Sequence, residues 1–193
     1  MLVNSGEIEG RFGAAPTSLS ISPTYFTRTV KTQDLSWASI DFGTKVNLPK
    51  PKSAAAKMGL RFEGKVLKSL QQRYPLTFQT GVPISFQRKH GEYYQRPETA
   101  IPDGLLIRES SKTLLVVEIK LRHSVDAWSQ LNRFYLPLLR KVHGDSLVLR
   151  TIEICRFYDP GVRLPVEKEV ILGVEEAFEL PPTCHPVLIW GDR

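Results

Sequence analysis

The side chains best suited to chemistry lie between residues 101 and 120. Asp103 stands at the start of one apolar run, and Glu118 and Lys120 stand near the end of the next. The two runs of branched apolar residues flank a short polar break, a pattern that predicts a β-hairpin. The sequence therefore predicts two acids and one lysine on a pair of neighbouring strands.

The predicted register brings these groups to one face of the hairpin. A turn centred between Ser110 and Ser111 places Asp103 directly opposite Glu118, with Cβ atoms about 4.5–5.5 Å apart. Side chains alternate along a strand, so Lys120 shares the face of Glu118. We expect two carboxylates and one ammonium in a single patch at the end of a buried strand.

Such a patch needs a cation, because two neighbouring carboxylates repel each other unless a positive charge lies between them. Oxygen ligands suit Mg²⁺ or Mn²⁺, which keep several waters and accept phosphate oxygens. The Lys120 ammonium could orient a water or stabilise charge that develops on a phosphate. These groups are suited to hydrolysis of a phosphodiester.

At this point the sequence resembles a known family. Pro102-Asp103 followed by Glu118-Ile119-Lys120 resembles the signature of the PD-(D/E)XK nuclease superfamily. The resemblance implies a metal-dependent DNA nuclease that uses Mg²⁺, with Mn²⁺ as a substitute, and leaves 5′-phosphate and 3′-hydroxyl ends. It also implies that Asp103, Glu118 and the Ile119 carbonyl hold the metal, while Lys120 orients the water.

A further acid is predicted on the first helix. Apolar residues spaced by threes and fours predict a helix over residues 54–73, with Glu63 inside its apolar sector. An ionised carboxylate in an apolar setting needs a partner. In many members of the superfamily a glutamate from the first core helix lies beside the metal, so the resemblance implies Glu63 as another ligand. The alternative is that Glu63 pairs with a core arginine or reaches solvent.

The second predicted helix, about residues 125–142, contains Gln130 at the border of its apolar side. Pro137 lies inside this helix, so we expect a kink or an early end. In exonuclease-like branches of the superfamily a glutamine here is followed four residues later by a tyrosine, which implies Gln130 as an orienting residue. In this chain Phe134 takes that spacing and Tyr135 follows it, so the pattern departs by one residue.

Cations and aromatic rings are mixed around a polar turn predicted at residues 88–92. Such a mixture can grip phosphates and stack bases, so we expect it to contact DNA, and the alternative is a plain exposed hairpin tip. Arg122, just beyond the strand that carries Lys120, is a further candidate. The hairpin candidates are Arg88, Lys89, Tyr93, Tyr94 and Arg96.

Residues 53–158 are predicted to form a helix, three strands, a helix and a strand. The predicted strands cover residues 76–87, the two hairpin runs and residues 146–158. This α-β-β-β-α-β order is similar to the core of the superfamily, which implies an α/β, restriction-endonuclease-like core with a central mixed sheet flanked by helices. Residues 1–52 are expected to be an N-terminal extension or arm, and residues 159–193 a C-terminal extension packed on the core.

Composition favours a polyanionic partner in a reducing compartment. Among 193 residues, 26 Lys and Arg exceed 20 acids, which gives a net charge of +6 and suits DNA. The two cysteines have no paired spacing, and no signal peptide or apolar run of about 20 residues is present, so we expect a cytoplasmic protein without a membrane partner. The lack of a phosphate-binding loop and of a nucleophile elbow excludes most nucleotide hydrolases and esterases.

Two other interpretations stay open. The chain could be a non-catalytic nucleic-acid-binding or complex-assembly subunit with a nuclease-like fold, or the hairpin charges could be ordinary surface pairs. Exonuclease and endonuclease action are equally compatible with the sequence. Protein partners in a larger nucleic-acid-processing complex, including a second copy of the chain, are left open as well.

Overall fold

The structure, a computed structural model, describes residues 29–43 and 53–191. Most of the predicted N-terminal extension, residues 1–28 and 44–52, lies outside the described residues. Within the described ranges, no helix is both long and apolar enough to cross a bilayer. The protein has an α/β architecture with a mixed sheet, as the sequence predicts.

Ten strands and four α-helices make up the described chain. The strands are β1 (Leu35–Ile40), β2 (Phe78–Gln79), β3 (Ile84–His90), β4 (Tyr93–Tyr94), β5 (Glu98–Ala100), β6 (Gly104–Arg108), β7 (Thr113–Arg122), β8 (Val148–Phe157), β9 (Lys168–Ile171) and β10 (Cys184–Ile189). The helices are α1 (Ala54–Arg73), α2 (Val125–Ser129), α3 (Leu136–His143) and α4 (Val174–Ala177), and a π-helical segment (Gln130–Tyr135) joins α2 to α3.

The main sheet has six strands in the order β2-β6-β7-β8-β10-β9. β2, β6 and β7 pair antiparallel, whereas β7, β8, β10 and β9 are parallel to one another. The chain leaves β7, passes through α2 and α3, and returns as β8, which lies beside β7 and parallel to it. The hairpin of β6 and β7 therefore lies in the middle of the protein.

The C-terminal part extends this sheet. We expected residues 159–193 to be an extension packed on the core, yet β9 and β10 pair with the sheet itself. In this position β10 covers the hydrogen-bonding edge that β8 would otherwise expose, and an exposed edge invites unwanted pairing. The sheet that positions the candidate site thus includes residues well beyond 158.

A second, smaller sheet forms where one strand was predicted. The prediction of one continuous strand over residues 76–87 is wrong, because the chain forms two separate strands there, β2 and β3. Gly81 has φ +66° there, and Pro83 cannot donate to a strand ladder. β2 joins the main sheet, while β3 pairs with β1, β4 and β5.

The register of the β6–β7 hairpin agrees with the prediction. Gly104 pairs with Val117 and Leu106 pairs with Leu115, the alignment that continues to Asp103 and Glu118. A 3₁₀ turn (Glu109–Ser111) closes the hairpin, followed by Lys112 in the left-handed region with φ 48°. Because both faces of β7 are buried, a slip of one residue would exchange its two apolar sets.

Two apolar layers cover the two faces of β7. Leu115 and Val117 pack with Phe62 and Val66 of α1 in one cluster. Leu114, Val116 and Glu118 occupy the opposite face. There, Leu114 and Val116 pack with residues of the π-helical segment. The strand is therefore central, as its uniformly apolar sequence predicts.

The helix predicted over residues 125–142 does not end at Pro137. Ser124 caps its start by accepting a hydrogen bond from the Ala127 N–H at 3.4 Å. Pro137 falls in the first turn of α3, where a missing N–H costs little. Upstream, the Leu136 N–H donates to the Leu131 carbonyl, an i→i+5 bond typical of a π-helix.

Candidate functional site

The predicted acids and lysine come together where β7 emerges from the core. Asp103, one residue before β6, accepts a hydrogen bond at Oδ2 from the Ile119 N–H at 2.6 Å. Lys120 Nζ lies 2.5 Å from Glu118 Oε1, and Glu118 itself is only 2% exposed. Three residues that the sequence singled out thus share one location.

Glu63 joins them from α1. It is half-buried, and its pKa is raised to about 7 by burial and by the charge of Glu118, while Lys120 acts in the opposite direction. These interactions place Glu63 within the electric field of the other two groups. We call Asp103, Glu118, Glu63 and Lys120 the carboxylate cluster.

Charge in the carboxylate cluster is out of balance. Burial raises the pKa of Asp103 well above its usual range, and the charges of Glu118 and Glu63 raise it further, although Lys120 and the Ile119 N–H oppose them. Burial also raises the pKa of Glu118 against the effect of Lys120. Burial lowers the pKa of Lys120, but Glu118 and Asp103 outweigh this and raise it. Three carboxyl groups share one ammonium, so the cluster must take up protons or bind another cation.

The donor set suits a small hard cation. The second carboxylate oxygen of Glu118, Oε2, is buried and has no hydrogen-bond partner, and carboxylate oxygens are the ligands that Mg²⁺ prefers. In the conformation seen here, Glu118 Oε1 is held by Lys120 and Asp103 Oδ2 by a backbone amide. Among the described residues, no three His, Cys, Asp or Glu side chains are arranged as a ready metal-binding group. The residues fit a cation by their chemistry and by the unused oxygen.

The π-helical segment changes how Gln130 and Tyr135 relate to each other. Hydrogen bonding from i to i+5 brings residues five apart onto successive turns, whereas an α-helix does this for residues four apart. Tyr135 therefore takes the place relative to Gln130 that a residue four positions on would take in an α-helix.

Both side chains are buried, and Tyr135 contacts the chain just before Asp103. The Tyr135 hydroxyl donates to the Ile101 carbonyl at 2.9 Å, two residues before Asp103. Gln130 is 7% exposed, and its Oε1 has no hydrogen-bond partner. A buried acceptor without a donor is costly, so Gln130 is placed to receive a hydrogen bond from a bound water or ligand.

The predicted nucleic-acid contacts divide into separate groups. Tyr93 and Tyr94 are 81% and 67% exposed at the tip of the second sheet, and Lys89 and Arg96 are exposed beside them. Arg122 is exposed at the end of β7, with its guanidinium 5.4 Å from the centre of the Phe157 ring.

Arg88 does not share the exposure of its neighbours. Its side chain is only 14% exposed, and Nε lies 3.0 Å from Glu98 Oε1. The guanidinium also lies over the Phe86 ring. Arg88 therefore supports the second sheet from inside, and the expectation that it belongs to an exposed binding surface is not met. The predicted turn starts later than residue 88, since β3 continues to His90.

Sequence reasoning missed the neighbour of Glu118 on β8. Glu153 pairs in register with Glu118 and is fully buried. Its Oε2 lies 3.0 Å from both His123 Nδ1 and His185 Nε2, and its Oε1 accepts from the Ser124 N–H at 3.2 Å. We call Glu153, His123 and His185 the histidine network. An acid between Ile152 and Ile154 in an apolar strand was the signal for it.

Asp126 was missed as well. It lies in the first turn of α2, where its pKa is raised by burial and lowered by the charge of Lys120. Its position two residues after the helix cap suggested only the usual preference of acids for a helix start. The structure adds a fourth acid within the field of Lys120.

No protein-family model matches this chain, and neither a curated protein nor a solved structure does. The function is therefore inferred from the geometry and charge of the site.

Proposed function

We propose that this chain is a metal-dependent DNA nuclease. One observation carries the proposal: Asp103 and Glu118 approach each other beside Lys120 on a central strand, with more negative charge than the ammonium can neutralise. The buried, unpartnered Oε2 of Glu118 supports a cation as the missing charge.

Each group has a distinct task in this proposal. Asp103, Glu118 and Glu63 would hold Mg²⁺, which when bound supplies Lewis-acid stabilisation of the scissile phosphate. Lys120, fixed by Glu118, would donate a hydrogen bond to the attacking water or to a phosphate oxygen. Gln130 would orient a water through its free acceptor, since no protein donor satisfies it.

Tyr135 would act by positioning. Its hydroxyl ties the chain at Ile101 to the π-helical segment, so the segment that carries Asp103 is held against the second helix. Precise placement of a metal ligand depends on such supporting contacts. The π-helical segment itself is in keeping with this role, because π-turns are frequent at functional sites.

DNA is the proposed substrate because several cationic features are available to a polyanion. The chain carries a net charge of +6, and the exposed tip of the second sheet combines tyrosines with cations. α1 adds an exposed basic side, opposite the face that packs on β7. The members of that basic side are Lys57, Arg61, Lys65 and Lys68.

The fold proposed is the restriction-endonuclease-like one. α1, the β6–β7 hairpin, the helix over residues 125–143 and parallel β8 occur in the order that the superfamily core implies. Both cysteines are free thiols, which agrees with a reducing compartment such as the cytoplasm.

The test is digestion of end-labelled linear, circular, single-stranded and branched DNA with Mg²⁺ or Mn²⁺, with chelator as the blank. We expect cleavage by the wild type, and a loss of about 10²–10³-fold in Lys120→Ala, the size of effect seen when a transition-state donor is removed. Asp103→Ala should be inert, and the exposed Lys141→Ala serves as the matched control.

A wild type that binds these DNAs but cuts none of them would support the non-catalytic nucleic-acid-binding subunit instead. Equal activity in Lys120→Ala and wild type would remove the carboxylate cluster from the reaction.

A further inference from the structure

A concave feature lies apart from the carboxylate cluster. It is a cavity of about 500 Å³ beside the start of β8, between α3 and residues 177–186. Arg150, in its wall, pairs with Leu115 of β7, five residues before Lys120. At about 3.3 Å per residue the two sites are separated by roughly 16 Å along the strand. The volume falls within the range of about 300–1,000 Å³ typical of small-molecule sites.

The wall of this cavity carries an excess of positive charge. Arg140 and Arg150 both line it, against a single acid, Asp145. A guanidinium group is a cation that suits phosphate and carboxylate oxygens. An anion is therefore the favoured occupant.

Arg150 has a donor that the protein does not use. Its Nη1 donates to the neighbouring Leu149 carbonyl at 3.2 Å, while its Nε is buried and has no acceptor. A buried donor without an acceptor costs free energy, more so on a charged group. The Arg150 guanidinium, in the wall of the cavity, therefore has hydrogen-bonding capacity that the described residues leave unused.

Part of the remaining wall is apolar, which narrows the class of anion. Leu136 and Leu149 lie on one side, and Pro181, Pro182 and Pro186 lie on the other. A simple inorganic ion would leave these surfaces in contact with water. A ligand with a charged head and an apolar body would cover them.

We infer that this cavity binds a phosphate monoester of nucleotide size. The planar guanidinium forms paired hydrogen bonds with phosphate oxygens, and two such groups match the double charge of a monoester. The base or other ring of the ligand packs against the leucine and proline walls. This site is independent of the carboxylate cluster and does not rest on the proposed nuclease activity.

The cavity contains its own reporter. Cys184 lines it, and the only other cysteine, Cys155, is fully buried. Burial, with the charge of Glu153, raises the pKa of the Cys155 thiol to about 12, so it is unreactive. The rate at which a thiol reagent modifies the full-length protein therefore reports on Cys184, and Cys184→Ser gives the blank.

The experiment measures that rate with adenosine monophosphate, inorganic phosphate or adenosine as the added probe. We expect the monophosphate to slow modification at least tenfold at saturation, and adenosine to have no effect at the same concentration. Arg150→Gln and the exposed Arg140→Gln should each raise the concentration that protects at least tenfold. Arg163→Gln, an exposed arginine outside the cavity, should leave it unchanged, and so should Asp103→Asn.

Several results would overturn the inference. These are no protection by the monophosphate, equal protection by adenosine or by inorganic phosphate, and an equal shift in Arg163→Gln. Arg140→Gln keeps the test decisive if Arg150→Gln fails to fold, because Arg140 lies on the exposed side of α3. If adenosine monophosphate protects Cys184 but the protein cuts no DNA, the phosphate site is supported and the nuclease proposal is refuted.

Discussion

Glu118 and Glu153 lie side by side on β7 and β8, both buried, yet their pKa values move in opposite directions. Burial raises both, and in Glu118 that effect prevails. In Glu153 the hydrogen bonds from His123 and His185 outweigh burial and lower the pKa. Two carboxylates one strand apart therefore differ in whether the protein itself supplies their counter-charge.

The histidine network supplies the counter-charge of its own acid, Glu153. His123 lies between two carboxylates, with Nδ1 3.0 Å from Glu153 Oε2 and Nε2 3.3 Å from Glu169 Oε2. Burial lowers the pKa of His123, but Glu153 and Glu169 outweigh it and raise the value. The His123 ring, with a carboxylate on each side, links the end of β7 to β8 and β9, which is a structural task.

The carboxylate cluster is the opposite case, because three acids surround one lysine. A buried set of charges that is only partly satisfied is expensive. The comparison teaches that burial alone does not mark a functional acid. A deficit of counter-charge marks a functional acid, and it distinguishes Glu118 from Glu153.

The largest effect should come from breaking the balanced side. Glu153→Gln removes the buried carboxylate that both His123 and His185 contact, so we expect the free energy of unfolding to fall by about 3–5 kcal/mol. Urea denaturation measures this. Exposed Glu167→Gln, the matched control, should change stability by less than about 0.5 kcal/mol.

Glu118→Gln completes the test, because it removes one of three repelling acids. It should cost much less stability than Glu153→Gln does. If the two variants lose the same free energy, the distinction between a balanced and an unbalanced carboxylate is wrong.

Local signals in the sequence were enough for the part of the fold that holds Asp103 and Glu118. The bounds of α1 follow from its apolar spacing and from Ser53, which accepts a hydrogen bond from the Ala56 N–H at 3.1 Å. The hairpin register follows from two apolar runs with one short turn between them. Each of these features depends on residues close together in the chain.

The parts that were missed depend on distant partners. Glu153 meets His185 only because β10 pairs with β8, and no local pattern shows that pairing. The break between β2 and β3 depends on a second sheet whose strand β1 lies far upstream. The π-helical segment ends two residues before Pro137, and neither helix propensity nor apolar spacing predicted it.

Added metal should act on the unbalanced side alone. Mn²⁺ that binds the folded protein at 100 times its dissociation constant stabilises it by about 2.7 kcal/mol, so we expect the melting temperature of the wild type to rise. Glu118→Gln should show little of this rise. Glu153→Gln should melt lower than the wild type yet keep the full increment, as the histidine network is not a ligand.

Differential scanning calorimetry measures the melting temperatures, with metal-free and chelator-containing samples as blanks. A rise that disappears in Glu153→Gln but persists in Glu118→Gln would reverse the assignment of the two sites.

The smallest expected effect is a pH dependence at Glu63. Its folded pKa of about 7 lies above the usual 4.5, so the folded protein holds this proton more tightly than the unfolded chain does. The stability it contributes is fully present below about pH 4.5 and is lost as the pH rises through 7. Between pH 5 and 8 the metal-free wild type should lose about 1–2 kcal/mol more than Glu63→Gln, since neighbouring acids share the titration.

The stability that His123 contributes also falls as the pH rises. It falls equally in the wild type and in Glu63→Gln, so the difference between the two proteins isolates Glu63. Urea unfolding in the presence of chelator, repeated at each pH, gives the two curves. Mn²⁺ at pH 8 should remove the difference in stability between the wild type and Glu63→Gln, because ionised Glu63 then faces a cation instead of Glu118. Parallel curves without metal would place Glu63 outside the carboxylate cluster, and Asp103 and Glu118 would then account for the excess charge between them.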